Sequence, residues 1–336
     1  MGKDIIPKSL VPMTINQLMR HLRNDRKIQI NGSKQKNLLI EYGYYHGYKG
    51  YRFFYKRNNT IPYKDFSQLI SVIEYDQKLK SVLYPIVMYL EMIMKNIVVN
   101  DVVVDLPDAS FDTVYKVKMK DENSNNSLRL KRLTLRDRIH NTLSKNYATK
   151  SRGFGNNQNI MVSHFYNRGN DVPLWAIFEI ISLGDFAKFC SCLNKETRKQ
   201  ILKSIGMISS SDTDYQLIPN ILYMVKGLRN SIAHNNVIFD IRFKDRGNNK
   251  NVVRWISDET GISNIQFLYL TDYLILICVV LNKINCEVDM IIDTVEEYEN
   301  CINELYKKLP INIYNKIVST DARTKIHKLI DYLNSK

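Results

Sequence analysis

Residues 221–239 read ILYMVKGLRNSIAHNNVIF, and the rest of the chain is best read outward from them. Ile221, Leu222, Val225, Leu228 and Ile232 recur at helical spacing. They predict an amphipathic helix opening just after Pro219, where a proline is tolerated at a helix start. Arg229, Asn230 and His234 lie inside this apolar run. An always-charged guanidinium and an imidazole titrating near neutrality suit chemistry at a phosphodiester, the first stabilising charge and the second moving protons. At about 100° per residue, a straight helix points the Arg229 and His234 side chains about 140° apart. They converge only if the helix ends or distorts over residues 233–235, or if a second copy supplies the other half.

Spacing alone is weak support. Arg136 also precedes His140, and Arg323 precedes His327. Only at residues 229–234 does the RxxxxH gap combine with an Asn after the Arg and a strongly apolar helix. An Arg/His pair on a helix is also an ordinary structural feature, so both readings stand at this point.

The 336 residues suffice for one large or two modest domains with a buried core. A net charge of +14 favours phosphate-rich partners, nucleic acid first, because each neutralised phosphate releases counterions. The alternative is a lysine-rich surface that merely keeps the protein soluble. Five cysteines with no paired spacing point to a reducing compartment and to no metal site. The N-terminal residues lack the apolar core of a signal peptide, and the apolar core of 265–281 is too short to span a bilayer. The expectation is a cytoplasmic protein with no membrane partner.

Residues 14–27 predict a basic helix carrying Arg20 and Arg23. Residues 41–59, EYGYYHGYKGYRFFYKRNN, interleave tyrosines with Lys49, Arg52, Lys56 and Arg57. Rings that stack on bases beside cations that hold phosphates suit single-stranded RNA. The competing reading packs Tyr45, Tyr48 and Phe53 into the core and leaves contact to the basic residues. Residues 66–104 predict a long apolar helix in which Pro85 marks a kink or division. On it Glu91 stands four residues before Lys95, an ordinary ion-pair spacing. After a polar tract at 121–127, residues 128–143 predict a basic helix with Arg129, Lys131, Arg132 and Arg136 as a second RNA surface. A solvated face explains that helix equally well. Residues 151–158 read as a loop, and their GFGNN lacks the lysine of a Walker-type phosphate loop. Helical patterns then return at 173–193, 195–205, 265–284, 294–309 and 320–333, while 239–255, around Gly247–Asn248, predicts a small β-hairpin. The fold class is mainly α.

Several of these stretches together resemble the bacterial abortive-infection proteins of the Abi-like AbiD/AbiF group. The resemblance rests on YGYYHGYKGYRFF (42–54), YDQKLK (75–80), LEMIMKN with Glu91, VPLWAIFEIISLGDF with Glu179, and LRNSIAH (228–234), in that order over residues 14–239. Lys80 stands where the family often has arginine, and His46–Gly47 replace its usual arginine–leucine pair. The resemblance implies a helical bundle of HEPN type and a metal-independent endoribonuclease toxin of phage defence, with no cofactor. It also implies a small structured noncoding RNA as partner, and a homodimer that assembles a composite site. In that reading Arg229 and His234 are catalytic and Asn230 orients them or caps the helix, while Glu91 and Glu179 hold Arg229. It suggests an N-terminal basic and Tyr-rich region (1–65), a helical region with a basic loop (66–150) and a HEPN-like helical domain (151–336), or one continuous core. Two rivals remain: a non-catalytic RNA-binding module and a phage-sensing interaction protein.

Overall fold

A computed structural model describes residues 12–119, 125–147, 159–244 and 250–335. Two short helices, α1 (Ile15–Asn24) and α2 (Gly32–Tyr42), and a π-helical segment over Gly43–Lys49 precede the longest helix, α3 (Phe66–Val103). A capping box starts α3: the Asp65 carboxylate accepts from the Ser67 N–H, and the Gln68 side chain accepts from the Asp65 N–H. Leu69, Ile73, Leu79, Leu83, Ile86 and Leu90 are all buried, so α3 is covered along its length. Pro85 faces solvent and the helix runs through it undivided, because the residues flanking it, Leu83, Ile86 and Val87, stay locked in the core. By length and composition α3 could cross a membrane, yet its buried positions include the charged Asp76, Lys80 and Glu91.

Around α3 come α4 (Phe111–Val117), α5 (Asn126–Tyr147), α6 (Ile160–Tyr166), α7 (Leu174–Ile180), α8 (Leu183–Cys192), α9 (Lys195–Ser204) and α10 (Leu217–Ala233). The remaining helices are α11 (Lys250–Thr260), α12 (Leu270–Lys283), α13 (Val288–Lys308), α14 (Ile311–Ile317) and α15 (Ala322–Asn334). α10 lies between α8 and α3, while α13 packs along α3 and α15. Among the described residues there is no strand, only isolated bridges such as Gln29 with Asp65. The fold is mainly α, and buried side chains from Met19 to Leu333 form one hydrophobic cluster.

Three expectations change. The hairpin over 239–255 does not form: residues 239–244 are turns and coil, and Lys250–Thr260 is helical. Val252, Trp255 and Ile256 bury one face at helical spacing. The turn at Gly247–Asn248 lies outside the described residues, as do residues 151–158 and most of the polar tract at 121–127. α10 begins at Leu217, two residues before Pro219, because the buried Asp212 carboxylate accepts the Gln216 and Leu217 amides at 3.0 and 2.7 Å. Within the Tyr-rich run, Tyr48 and Tyr51 are buried, whereas Tyr45 is 73% exposed and does not pack the core.

Candidate functional site

α10 stops where the RxxxxH motif stops. His234 is its C-cap, and Asn235 follows in the left-handed region at φ 52°, a conformation asparagine tolerates better than most residues. The amide of Asn236 then donates back to the Ser231 carbonyl at 2.8 Å, reversing the chain. The histidine therefore sits at an exposed helix end rather than along an apolar face.

Arg229 is anchored from α3. Its Nε donates to Glu91 Oε2 at 3.0 Å, and one terminal nitrogen reaches Asn230 Oδ1 at 3.4 Å, the limit of a hydrogen bond. Glu91 is 7% exposed and also receives Lys95 Nζ on Oε1 at 2.9 Å. The ordinary i,i+4 pair and the arginine anchor thus share one carboxylate. Two cations on one anion leave a surplus positive charge, and the Arg229 side chain remains 28% exposed to deliver it. Such a group attracts an anion, and a planar guanidinium suits phosphate in particular. The His234 ring makes no hydrogen bond or ion pair with any described residue, Arg229 included. Within one chain the two halves of the motif stand unjoined.

A second anchor holds the segment that follows His234. Asp76, fully buried on α3, receives the Ile238 and Phe239 amides on Oδ1 at 2.8 and 2.7 Å. Its Oδ2 receives the Tyr51 hydroxyl and Lys80 Nζ, both at 2.8 Å. Burial, then the Asp76 carboxylate, push the Tyr51 phenol far above its ordinary range, so it stays a proton donor. Lys80 also donates to Asn235 Oδ1 at 3.0 Å, tying the residue next to His234 to the same helix. Further on, the buried Asp240 pairs with Arg242 at 2.6 Å and accepts the Tyr55 amide at 2.9 Å. Arg242 in turn reaches the Gly50 carbonyl and lies over the Phe53 ring. Two carboxylates thus stitch residues 235–242 to α3 and to the Tyr-rich run. Gly227 allows this loop to lie against α10, since a Cβ there would come within 2.8 Å of the Phe243 carbonyl oxygen.

Asp76, Asn235, Asp240 and Arg242 were not among the residues singled out from the sequence. A signal existed for Asp76: it falls between Ile73 and Leu79 on the apolar stripe of α3, where a carboxylate must find partners. Nothing local marked the others.

The remaining candidates scatter. Glu179 is exposed on α7 and makes no ion pair with Arg229, whose carboxylate partner is Glu91. Arg20, Lys56, Arg57 and Arg129 are exposed. Arg23 is spent on the Ile30 carbonyl, and Lys49 lies over the Tyr44 and Tyr45 rings. Arg52 is half-buried. On α5 burial holds the Lys131 ammonium below the usual lysine range, and Arg136 stacks on Tyr115. Arg132 is buried, its Nε on the Cys192 carbonyl, so it is not part of an RNA-facing surface. The basic face of α5 is therefore narrower than its charge suggests.

A family model described as Abi-like protein matches residues 37–240. The match begins in α2, takes in Tyr51, Asp76, Lys80, Glu91 and the 229–234 motif, and ends at Asp240. No curated protein and no solved structure gave a match.

Proposed function

The chain belongs to the Abi-like protein family, and we propose that it acts in abortive infection as a metal-independent endoribonuclease. The observation that carries this reading is the end of α10, where a guanidinium held by a buried carboxylate and an imidazole at an exposed helix cap share one short motif. In the proposed reaction an imidazole takes the proton of a ribose 2′-OH, and the 2′-oxygen attacks the adjacent phosphorus. The bond to the 5′-oxygen breaks, and that oxygen leaves with a proton from a general acid. The products are a 2′,3′-cyclic phosphate and a free 5′-OH. His234 supplies the proton transfer, worth about 10²–10⁴-fold. Arg229 stabilises charge on the non-bridging oxygens, and Asn230 steadies the guanidinium.

Since no hydrogen bond joins the His234 ring to Arg229 within one chain, the working site is composite, formed by two copies across a two-fold axis. Two surplus positive charges brought together there repel until a phosphate lies between them. Lys80 and Asp76 position the loop after the histidine. A small structured RNA held on the basic surface, outside the scissile site, is the proposed partner that restrains the enzyme.

The test is cleavage of end-labelled single-stranded RNA in EDTA by protein stripped of nucleic acid, comparing wild type with Arg229→Ala and His234→Ala. Cleavage by wild type alone, with cyclic phosphate ends, is the expected result. Equal cleavage by all three would sink the assignment, and tight RNA binding without cleavage would favour a non-catalytic RNA-binding module.

A further inference from the structure

Beyond the Arg229/His234 site, a cleft of about 330 Å³ opens where four parts of the chain meet: the end of the Tyr-rich run, the loop after α10, the segment just before α12, and α14. Its size is near the lower end of small-ligand pockets, about 300–1,000 Å³. Phe54 and Tyr269 line it with ring centroids 5.5 Å apart, and Tyr55 and Leu268 line it while 38% and 47% exposed. Lys56 and Lys316 also line it, as do Asn59 and Asn315. No carboxylate is among its lining residues. The nearest acid on the loop, Asp240, is taken up by Arg242 and the Tyr55 amide. Lys316 donates to the Thr60 carbonyl at 3.0 Å and to the Asn59 amide oxygen at 3.4 Å, and it has no acidic partner among the described residues.

Two lining residues, Tyr55 at φ 58° and Ile241 at φ 52°, adopt the left-handed backbone region, a costly choice for a β-branched residue. The Tyr55 amide donates to the Asp240 carboxylate at 2.9 Å, and the Ile241 amide donates to the Ile238 carbonyl at 3.0 Å.

We propose that the cleft seats one unstacked nucleotide. Aromatic rings offer a stacking floor for any base, amides offer donors and acceptors to its edge, and two lysines without a competing acid suit its phosphate. The seat lies on the loop that begins at His234. Seven peptide steps separate His234 from Ile241, so their α-carbons lie within about 25 Å of each other, a span one RNA strand covers. The nucleotide comes either from such a strand or from the free pool.

The experiment uses the full chain carrying His234→Ala in every arm, so binding is read without cleavage and a failed nuclease assignment leaves it intact. The four 5′-mononucleotides are titrated by calorimetry, and a short single-stranded RNA containing 4-thiouridine is photo-crosslinked and mapped. Lys56→Glu and Leu268→Asp change exposed side chains, and their thermal midpoints are checked against the parent. Mononucleotide binding weakened about tenfold or more by both changes identifies a seat for free nucleotides. Crosslinks to residues 54–59 or 268–269 that both changes abolish, without mononucleotide binding, identify a seat for the RNA strand. Mononucleotide or RNA binding that both variants leave unchanged, or crosslinks confined elsewhere, overturns the proposal, as does the absence of any binding.

Discussion

Asp76 on α3 and Asp272 on α12 are both buried carboxylates that receive two consecutive backbone amides and one lysine ammonium. Asp76 takes Ile238, Phe239 and Lys80; Asp272 takes Gln266, Phe267 and Lys325. Each holds a loop containing non-glycine residues at positive φ, Asn235 and Ile241 in one case and Asn264 and Phe267 in the other. Their surroundings differ. The loop held by the first begins beside His234, which lies open, and farther along α3 Glu91 is outnumbered by Lys95 and Arg229. Beside the second, Lys325 also pairs with Asp321, so the surplus charge is negative and the ammonium is enclosed. A buried lysine–aspartate anchor is therefore a way of fixing a loop, and the chemistry depends on what the loop carries.

The largest expected contrast is in activity. His234→Ala and Arg229→Ala should each lower RNA cleavage by about 10²–10⁴-fold. The exposed His234→Ala should move stability by no more than about 0.5 kcal/mol. Lys325→Met should shift the urea midpoint yet leave cleavage per folded molecule unchanged, and a large loss of cleavage there would erase the distinction between the anchors. Next, Asp76→Ala and Asp272→Ala should cost comparable amounts in urea unfolding, about 3–5 kcal/mol each, because each strands a lysine and two amides. A loss below about 1 kcal/mol at either would break the equivalence.

Gly227→Ala sharpens the comparison from the α10 side. Its Cβ would press on the Phe243 carbonyl, so a cost of about 1–3 kcal/mol is expected. An unchanged midpoint would mean that the loop is not packed there. The smallest effect belongs to Lys80→Arg, which keeps a donor for Asp76 and Asn235 and should stay within about 1 kcal/mol of wild type with cleavage retained. Lys80→Met should slow cleavage while Lys325→Met does not.

Much of the fold was legible because helical periodicity is local. The apolar spacing of α10, the long α3 and the terminal helices all followed from residues three and four apart. The misreadings had local causes too. A run as short as VVRW (252–255) fits a strand as well as a helix, and α10 reached back past Pro219 because Asp212 supplied a cap. At the candidate site the sequence marked Arg229, His234 and Glu91. It overrated Arg132, since charge does not reveal which way a helix face turns, and it passed over Asp240, whose partners lie far away in the chain.

By itself, then, the sequence determined an α-helical chain of the Abi-like family, with an Arg-Asn pair and a histidine on an amphipathic helix. These are properties of composition and of neighbours within two turns. Only the tertiary structure decided that Glu91 meets Arg229 across 138 positions, that Asp76 meets Ile238 across 162, and that Tyr55 meets Asp240 across 185. Such pairings depend on how buried faces stack, and a carboxylate finds its partner only once that packing has excluded water.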